Sequence, residues 1–189
     1  MIDVEYVCVY CGSSAGSESA YEDAIGEFAA ACLDREIGLV YGGASGGVMG
    51  ALADAILDGG GEVRGIIAES ILDRETPHEG LTELKITETR DSRQDRMTEL
   101  ADGFVALPGG IGTQQELFSV LAEAKHGQHD NPCGYLNVAG YYDAMVAFLD
   151  NAVGEGFLSP EQRELAIVES DPDQLFEQFE QYESPFSSA

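Results

Sequence analysis

The chain has 189 residues, a length typical of one domain that buries about 70% of its unfolded surface. Acidic residues outnumber basic ones 35 to 9, for a formal net charge of −26, which argues against nucleic-acid binding because no basic face offsets repulsion by phosphates. The hydrophobic content of 44% is too high for a disordered acidic chain, so we interpret the charge as a solvated shell and expect a halophilic source.

The apolar runs indicate where in the cell the protein is found, and the cysteines and histidines indicate whether it binds a metal. No apolar run approaches the roughly 18 residues of a membrane span, and the start MIDVEYVCVY lacks a basic signal-peptide region, so we expect a cytoplasmic protein with no membrane partner. Cys8 and Cys11 form a CxxC without a second pair, and we interpret them as buried strand residues. His78, His126 and His129 belong to no metal-binding motif, so we expect no metal.

Apolar, β-rich runs alternate with segments of helical period. The predicted strands are 7–10, 38–41, 63–67, 84–87, 103–107, 133–138 and 165–168. The predicted helices lie around 21–32, 48–56, 92–101, 117–124 and 142–153, and a last one begins after Asp171-Pro172.

This alternation determines the fold class. Continuously apolar strands indicate burial on both faces, and alternation with helices indicates right-handed βαβ units in an open parallel sheet. We predict one Rossmann-like, doubly wound α/β domain of about six or seven strands over 1–183, followed by a frayed tail over 184–189.

Two glycine-rich turns follow predicted strands, where ligands of parallel α/β sheets bind. They read YGGASGGVMG (41–50) and LPGGIGT (107–113), and neither matches a P-loop or GxGxxG. Each opens a helix, whose N–H groups and dipole favour an anion. The alternative is that the glycines only permit tight turns. That alternative would suffice for a single turn, but two such turns favour phosphate binding, which we predict.

Positive charge is concentrated just before the second glycine turn. Arg90, Arg93 and Arg96 lie at a spacing of three, which places them on one side of a helix. Bidentate phosphate recognition is one interpretation. The alternative is pairing with neighbouring acids, namely Asp91, Asp95 and Glu99.

Five motifs occur in a fixed order between about residues 6 and 157: CVYCGSS, LVYGGASGGVMG, SRQDRM, PGGIGTQQE and NVAGYYDAM. This set resembles the LOG ("lonely guy") family. The resemblance implies a Rossmann-type homodimer that hydrolyses the N-glycosidic bond of nucleoside 5′-monophosphates. The products are a free purine-type base and ribose 5-phosphate, and the substrate is AMP or a cytokinin-type nucleotide.

The resemblance also implies roles for individual residues. Arg93 and Glu116 correspond to the catalytic pair, and Glu75 to a substrate-contacting glutamate. The family's phosphate loop corresponds to the segment Gly109, Gly110, Ile111, Gly112 and Thr113. Where the family has the motif MHxRK, this chain has Asp91 in place of the histidine and Gln94 in place of the lysine. Plain AMP is therefore at least as good a candidate substrate as a cytokinin nucleotide. Either Asp91 or water is open as the group that protonates the leaving base.

Three other functions are alternatives to this one. Lysine decarboxylation, a label that relatives have carried, needs a Schiff-base lysine on a pyridoxal cofactor, and Lys85 and Lys125 lie outside the motifs, so we expect no cofactor. Gly43–Gly47 satisfies GxSxG, which would make Ser45 a nucleophile with His126 or His129 as base, but leaves PGGIGT unexplained. A non-catalytic carrier of molybdenum cofactor or a nucleotide is the alternative on the same scaffold.

The residues after PGGIG also fit a helix-capping pattern. Thr113-Gln114-Gln115-Glu116 matches the capping box, which predicts Thr113 at the N-cap and Glu116 at the third helical position. Glu116 then has two interpretations: a cap that bonds back to the Thr113 backbone, or a carboxylate that faces a ribosyl cation.

Overall fold

Seven parallel strands form one sheet in the computed structural model, which describes residues 2–186. The strands are β1 (Tyr6–Tyr10), β2 (Gly38–Tyr41), β3 (Val63–Ala68), β4 (Glu83–Thr87), β5 (Gly103–Ala106), β6 (Cys133–Leu136) and β7 (Ala166–Glu169). The helices are α1 (Ser19–Asp34), α2 (Gly47–Asp58), α3 (Arg90–Glu99), α4 (Ile111–Lys125), α5 (Asp143–Gly154), α6 (Pro160–Glu164) and α7 (Pro172–Glu180). Two 3₁₀ turns lie at Glu69–Ile71 and Val138–Gly140.

The strand order is β4-β3-β2-β1-β5-β6-β7. The chain therefore builds the sheet outward from β1 in one direction as far as β4, and then returns to the other side of β1 with β5. The order reverses between β1 and β5, so the loops after these two strands diverge and leave a crevice. This topology confirms the predicted doubly wound, Rossmann-like α/β fold with seven strands.

Both faces of the sheet are covered by helices. Val7 and Val9 of β1 belong to one core cluster, with α1, α2 and α7, while Cys8 and Tyr10 belong to the other, with α3, α4 and α5. This alternation follows from the two-residue period of a strand. It explains why the central strands are continuously apolar in sequence. Cys8 and Cys11 are buried, as predicted, but of these two only Cys8 lies in a strand, because β1 ends at Tyr10; Cys32 and Cys133 are also free and buried.

Strand β4 departs from the prediction that apolar strands are buried on both faces. Its residues are largely exposed, and Ile86 is 51% accessible to solvent. The strand lies at the sheet edge and pairs only with β3. Helix α3, which packs beside β3 and β4, buries only Met97. A parallel strand is buried on both faces only where helices with apolar faces cover it, and the edge lacks that cover.

Several elements differ from the prediction. Helix α3 begins at Arg90 rather than at residue 92, because Thr89 forms a capping box with Ser92. Strand β6 ends at Leu136, two residues early. Helix α6 was not predicted, although Ser159 caps it and Pro160 opens it. The predicted N-cap at Asp171 is confirmed, since its side chain accepts a hydrogen bond from the Gln174 N–H.

The end of the chain is only partly described. Of the predicted tail 184–189, Phe186 packs against the core, and residues 187–189 lie outside the described residues. The domain boundary at 183 therefore stays a prediction. No helix within residues 2–186 has both the length and the apolar character needed to cross a bilayer.

Candidate active site

A cavity of about 470 Å³ opens at the point where the strand order reverses. The turn after β1 and the turn after β5 form two of its walls, and α3 forms a third. The lining includes most of the predicted site residues, namely Glu75, Arg90, Arg93, Gly110, Ile111, Gly112, Thr113 and Glu116. The structure therefore brings together residues that are up to 41 positions apart in the sequence.

Arg93 is held in one orientation at the floor of this cavity. It is the fourth residue of α3, and its Nε donates to the Ile66 carbonyl of β3 at 2.9 Å. Its Nη1 donates to Glu116 Oε1 at 2.8 Å, and its side chain is only 12% exposed. A Cβ at Gly42 would lie 2.4 Å from Nη2, so glycine at that position makes room for the guanidinium.

Glu116 is the partner of Arg93 and is nearly as buried. It is the sixth residue of α4, and its side chain is 16% exposed. Burial raises the pKa of the Glu116 carboxyl, and the neighbouring Glu75 raises it further, while Arg93 and, more weakly, Arg90 lower it. The net direction is upward. The Glu116 carboxylate is therefore largely shielded from solvent, and its ionised form depends on the guanidinium beside it.

The phosphate loop enters α4 earlier than the capping pattern predicts. Gly110 is the N-cap, Ile111 is the first helical residue, and Thr113 is the buried third residue. The predicted capping box is wrong, and the Glu116 carboxylate bonds to Arg93 rather than back to the Thr113 backbone. The turn at Gly109 causes the difference, since a Cβ there would lie 2.1 Å from Thr113 Oγ1 and only glycine allows so close an approach.

A glycine N-cap leaves the start of α4 without a side-chain partner. Within residues 2–186, no acceptor takes a hydrogen bond from the N–H groups of Gly109–Gly112. Unpaired N–H groups and the positive end of the helix dipole then point at the same place. This arrangement favours an anion such as a phosphate.

The first glycine turn has another function than the one predicted. Of YGGASGGVMG, only Met49 lines the cavity. Gly42 instead accommodates Arg93, as described above, and the turn packs against the segment after β1 through Gly47. Phosphate binding at both turns is therefore not supported, and the geometry favours the turn after β5 alone.

The three clustered arginines have different surroundings in the structure. Arg90 lines the cavity and Arg93 pairs with Glu116. Arg96 pairs with Glu99 at 2.9 Å and is not part of the cavity wall. The alternative of local pairing with an acid thus applies to Arg96.

Comparison with known proteins identifies the family. Residues 49–179 match a family model described as "Possible lysine decarboxylase". The chain is 43% identical over 176 residues to the probable cytokinin riboside 5′-monophosphate phosphoribohydrolase LOGL2 of Oryza sativa subsp. japonica, covering 93% of this chain and 72% of that protein. It is 42% identical to the cytokinin riboside 5′-monophosphate phosphoribohydrolase LOG3 of Arabidopsis thaliana, covering 93% and 82%. The chain belongs to the LOG family.

Solved structures share the fold of this LOG protein. The X-ray structure of TM1055 superimposes with a TM-score of 0.71 at 20% identity, covering 94% of this chain and 99% of that one. The molybdenum cofactor binding protein from Rippkaea orientalis gives a TM-score of 0.68 at 17% identity, covering 93% and 95%. At such identities the likeness concerns the fold alone.

Neither lysine of this LOG protein is placed for decarboxylase chemistry. Lys85 lies on the exposed edge strand β4, and Lys125 is the last residue of α4. Neither lines the cavity. A Schiff base to a pyridoxal cofactor requires a lysine in the site, so the words of the family model do not describe this cavity.

The serine-hydrolase alternative also lacks its geometry. The Ser45 hydroxyl donates to the Thr76 carbonyl at 3.1 Å, and His129 Nε2 bonds the Val120 carbonyl at 2.9 Å. His126 is the C-cap residue of α4. A nucleophile needs a base within hydrogen-bond reach, and neither histidine makes that contact with Ser45.

Sequence reasoning missed several groups that line the cavity. Ser119 and Glu123 continue the face of α4 that carries Glu116, at three and seven residues further on. This helical spacing is a signal that could have indicated them. Burial, and secondarily the nearby Asp95, raises the pKa of Glu123. Gln94, which replaces the family's lysine, donates to the buried Tyr10 hydroxyl at 2.9 Å.

Proposed function

We propose that this LOG protein is a nucleoside 5′-monophosphate phosphoribohydrolase that releases a free purine-type base and ribose 5-phosphate. The observation that carries the proposal is the buried Arg93–Glu116 pair, 2.8 Å apart, beside the unpaired N–H groups at the start of α4. The identity of 42–43% to relatives named for this reaction supports it. AMP or a cytokinin-type nucleotide is the substrate.

In this proposal the phosphate binds to the loop Gly109–Thr113. The unpaired N–H groups and the helix dipole compensate its charge in a chain with a net charge of −26. Glu75, which also lines the cavity, accepts a hydrogen bond from a ribose hydroxyl. The ribose then spans the distance between the phosphate loop and the Arg93–Glu116 pair.

Glu116 acts at the anomeric carbon. Breaking the C1′–N bond builds positive charge on the ribose ring, and a carboxylate beside C1′ stabilises that charge or orients the attacking water. The water oxygen bonds to C1′ and the water gives up one proton, while the electrons of the C1′–N bond leave with the base, which gains one proton, so the reaction takes up no net proton.

Arg93 acts through Glu116. Its guanidinium stays protonated near neutral pH and so cannot serve as a proton donor. Its hydrogen bonds to the Ile66 carbonyl and to Glu116 fix the carboxylate in place and favour its ionised form, against the effect of burial.

The experiment that tests the proposal separates an enzyme from a carrier. Purified protein in molar KCl is incubated with a large excess of AMP, and the free adenine is measured by chromatography. An enzyme releases many equivalents of adenine per chain. A carrier releases none and emerges from purification with a pterin that absorbs in the near ultraviolet.

We also propose that the protein is a homodimer. The family resemblance supports this, together with an apolar groove between α4, α5 and α6 whose rim carries the exposed Phe148 and Phe157, the latter 85% accessible. An apolar surface of this kind on a highly charged chain is typical of an interface, and a second copy is the proposed occupant. We expect light scattering in molar KCl to give twice the chain mass of 20.1 kDa. A monomer mass contradicts the proposal.

The charge supports a proposed halophilic source and action in a salt-rich cytoplasm. With a net charge of −26, the carboxylates repel one another at low ionic strength, and salt screens this repulsion. We expect the melting temperature to rise by about 10 °C or more between 0.1 M and 3 M KCl. Calorimetry measures it, with sucrose as an uncharged control. A melting temperature that falls with added KCl contradicts the halophilic assignment.

A further inference from the structure

Three successive carbonyl groups before α4 are each held by a hydrogen bond. The Leu107 carbonyl accepts from the Tyr142 hydroxyl at 2.6 Å, and the Pro108 carbonyl accepts from the Gly12 N–H at 3.2 Å. The Gly109 carbonyl accepts from the Tyr141 hydroxyl at 2.7 Å. Two of the three donors come from the segment NVAGYYDAM, which the proposed chemistry does not otherwise use.

These bonds determine where the loop N–H groups point. Within residues 2–186 all peptide bonds are trans, so the carbonyl of one residue and the N–H of the next point in opposite directions. Gly110 lines the cavity, whereas Tyr141 does not. The hydroxyl of Tyr141, a residue outside the cavity wall, therefore fixes the orientation of the Gly109–Gly110 peptide and leaves the Gly110 N–H on the side opposite to the Gly109 carbonyl.

Tyr141 is itself held in place. Ala139 and Gly140 have φ values of 50° and 74°, and these left-handed residues turn the chain back toward the phosphate loop. The Tyr141 ring makes edge contacts with Tyr21 and Tyr142, at centroid distances of 5.7 and 4.9 Å. The hydroxyl thus reaches the Gly109 carbonyl from a residue that is 42% exposed but whose ring contacts two other rings.

We infer that Tyr141 is a positioning residue for phosphate recognition: it orients the Gly109–Gly110 peptide so that the Gly110 N–H faces the substrate phosphate. The inference rests on the proposed function. Without the hydroxyl, the Gly109 carbonyl loses its partner and the peptide is free to rotate. An N–H group would then be replaced by a carbonyl oxygen facing the anion in part of the population.

The test removes only the hydroxyl, in Tyr141→Phe, with Tyr21→Phe as a matched control. The Tyr21 ring contacts Tyr141, but its hydroxyl makes no hydrogen bond within residues 2–186. Titration calorimetry measures binding of ribose 5-phosphate to the wild type and to both variants. We expect Tyr141→Phe to bind about tenfold more weakly, as for the loss of one good hydrogen bond, and Tyr21→Phe to bind like the wild type.

Hydrolysis gives the second readout. We expect kcat/KM for AMP to fall about tenfold in Tyr141→Phe while the value for adenosine and the melting temperature stay unchanged. Unchanged binding of ribose 5-phosphate, or equal losses on AMP and adenosine with a lowered melting temperature, overturns the inference. A wild type that binds ribose 5-phosphate but releases no adenine overturns the proposed function and leaves the binding comparison valid. A wild type that does not bind ribose 5-phosphate overturns both.

Discussion

Glu116→Gln is expected to lower the rate of AMP hydrolysis by at least about a hundredfold, or roughly 2.7 kcal/mol of transition-state stabilisation. The amide keeps the shape of the side chain and an oxygen that accepts from Arg93 Nη1, a bond of 2.8 Å in the wild type. It removes the negative charge that would face the ribosyl cation. Steady-state release of adenine measures the effect.

The fold is expected to survive this substitution. Because the pKa of Glu116 is raised in the folded protein, its ionised form at neutral pH costs folding free energy relative to the unfolded chain. The favourable contribution of the protonated form is present below the unfolded pKa and is lost as the pH rises through the folded pKa. An uncharged glutamine avoids that cost but removes the counter-charge of the buried Arg93, so the variant should stay folded and keep most of the wild-type melting temperature at neutral pH.

The pH profile supplies an independent readout for the same variant. If ionised Glu116 is required, kcat/KM for AMP falls as the pH is lowered through its raised pKa, above the range of an exposed glutamate. The residual rate of Glu116→Gln should lack this acid limb. Glu27→Gln, an exposed change on α1 that removes one charge, is the matched control and should keep wild-type kinetics. Near-wild-type activity of Glu116→Gln would mean that the carboxylate is not catalytic.

Adenosine is expected to be at least about a hundredfold poorer a substrate than AMP in kcat/KM. Adenosine lacks the phosphate, so it cannot use the unpaired N–H groups of Gly109–Gly112 or the α4 dipole. Binding energy at this remote group is expected to hold C1′ against Glu116, and its loss should lower the rate of bond cleavage as well as the affinity.

Competition with ribose 5-phosphate tests the origin of this preference. It should inhibit AMP hydrolysis by occupying the phosphate loop, whereas ribose should not inhibit at the same concentration. Comparable rates on AMP and adenosine would show that the loop does not bind the phosphate of the substrate.

Sequence patterns were sufficient for the fold because they report local burial. The central strands are apolar on both faces, and each helix following them shows one apolar side, so the α/β alternation was readable. The predicted burial of strand β4 on both faces is wrong because it depends on apolar side chains of α3, and α3 buries only Met97. Helix α6 has only five residues, too few to show a period.

The site was predictable as a set of residues but not as a set of contacts. The motifs indicated Arg93 and Glu116, but the 2.8 Å bond between them joins residues 23 positions apart. The capping-box pattern at Thr113 failed because a glycine turn let α4 begin at Ile111, and the guanidinium of Arg93 competed successfully for the carboxylate. Arg96 follows Arg93 at the same spacing at which Arg93 follows Arg90, yet it pairs with Glu99. The spacing of residues along a helix does not specify which neighbour a side chain turns toward.

Analysis of all the products distinguishes cleavage of the N-glycosidic bond from removal of the phosphate. Wild-type protein and Glu116→Gln are incubated with AMP in molar KCl, and adenine, adenosine, ribose 5-phosphate and inorganic phosphate are quantified over time. The wild type is expected to form adenine and ribose 5-phosphate in equal amounts over many turnovers, and Glu116→Gln is expected to form both at a rate at least about a hundredfold lower. Adenosine and inorganic phosphate as the products, or no product from the wild type, would contradict the proposed activity.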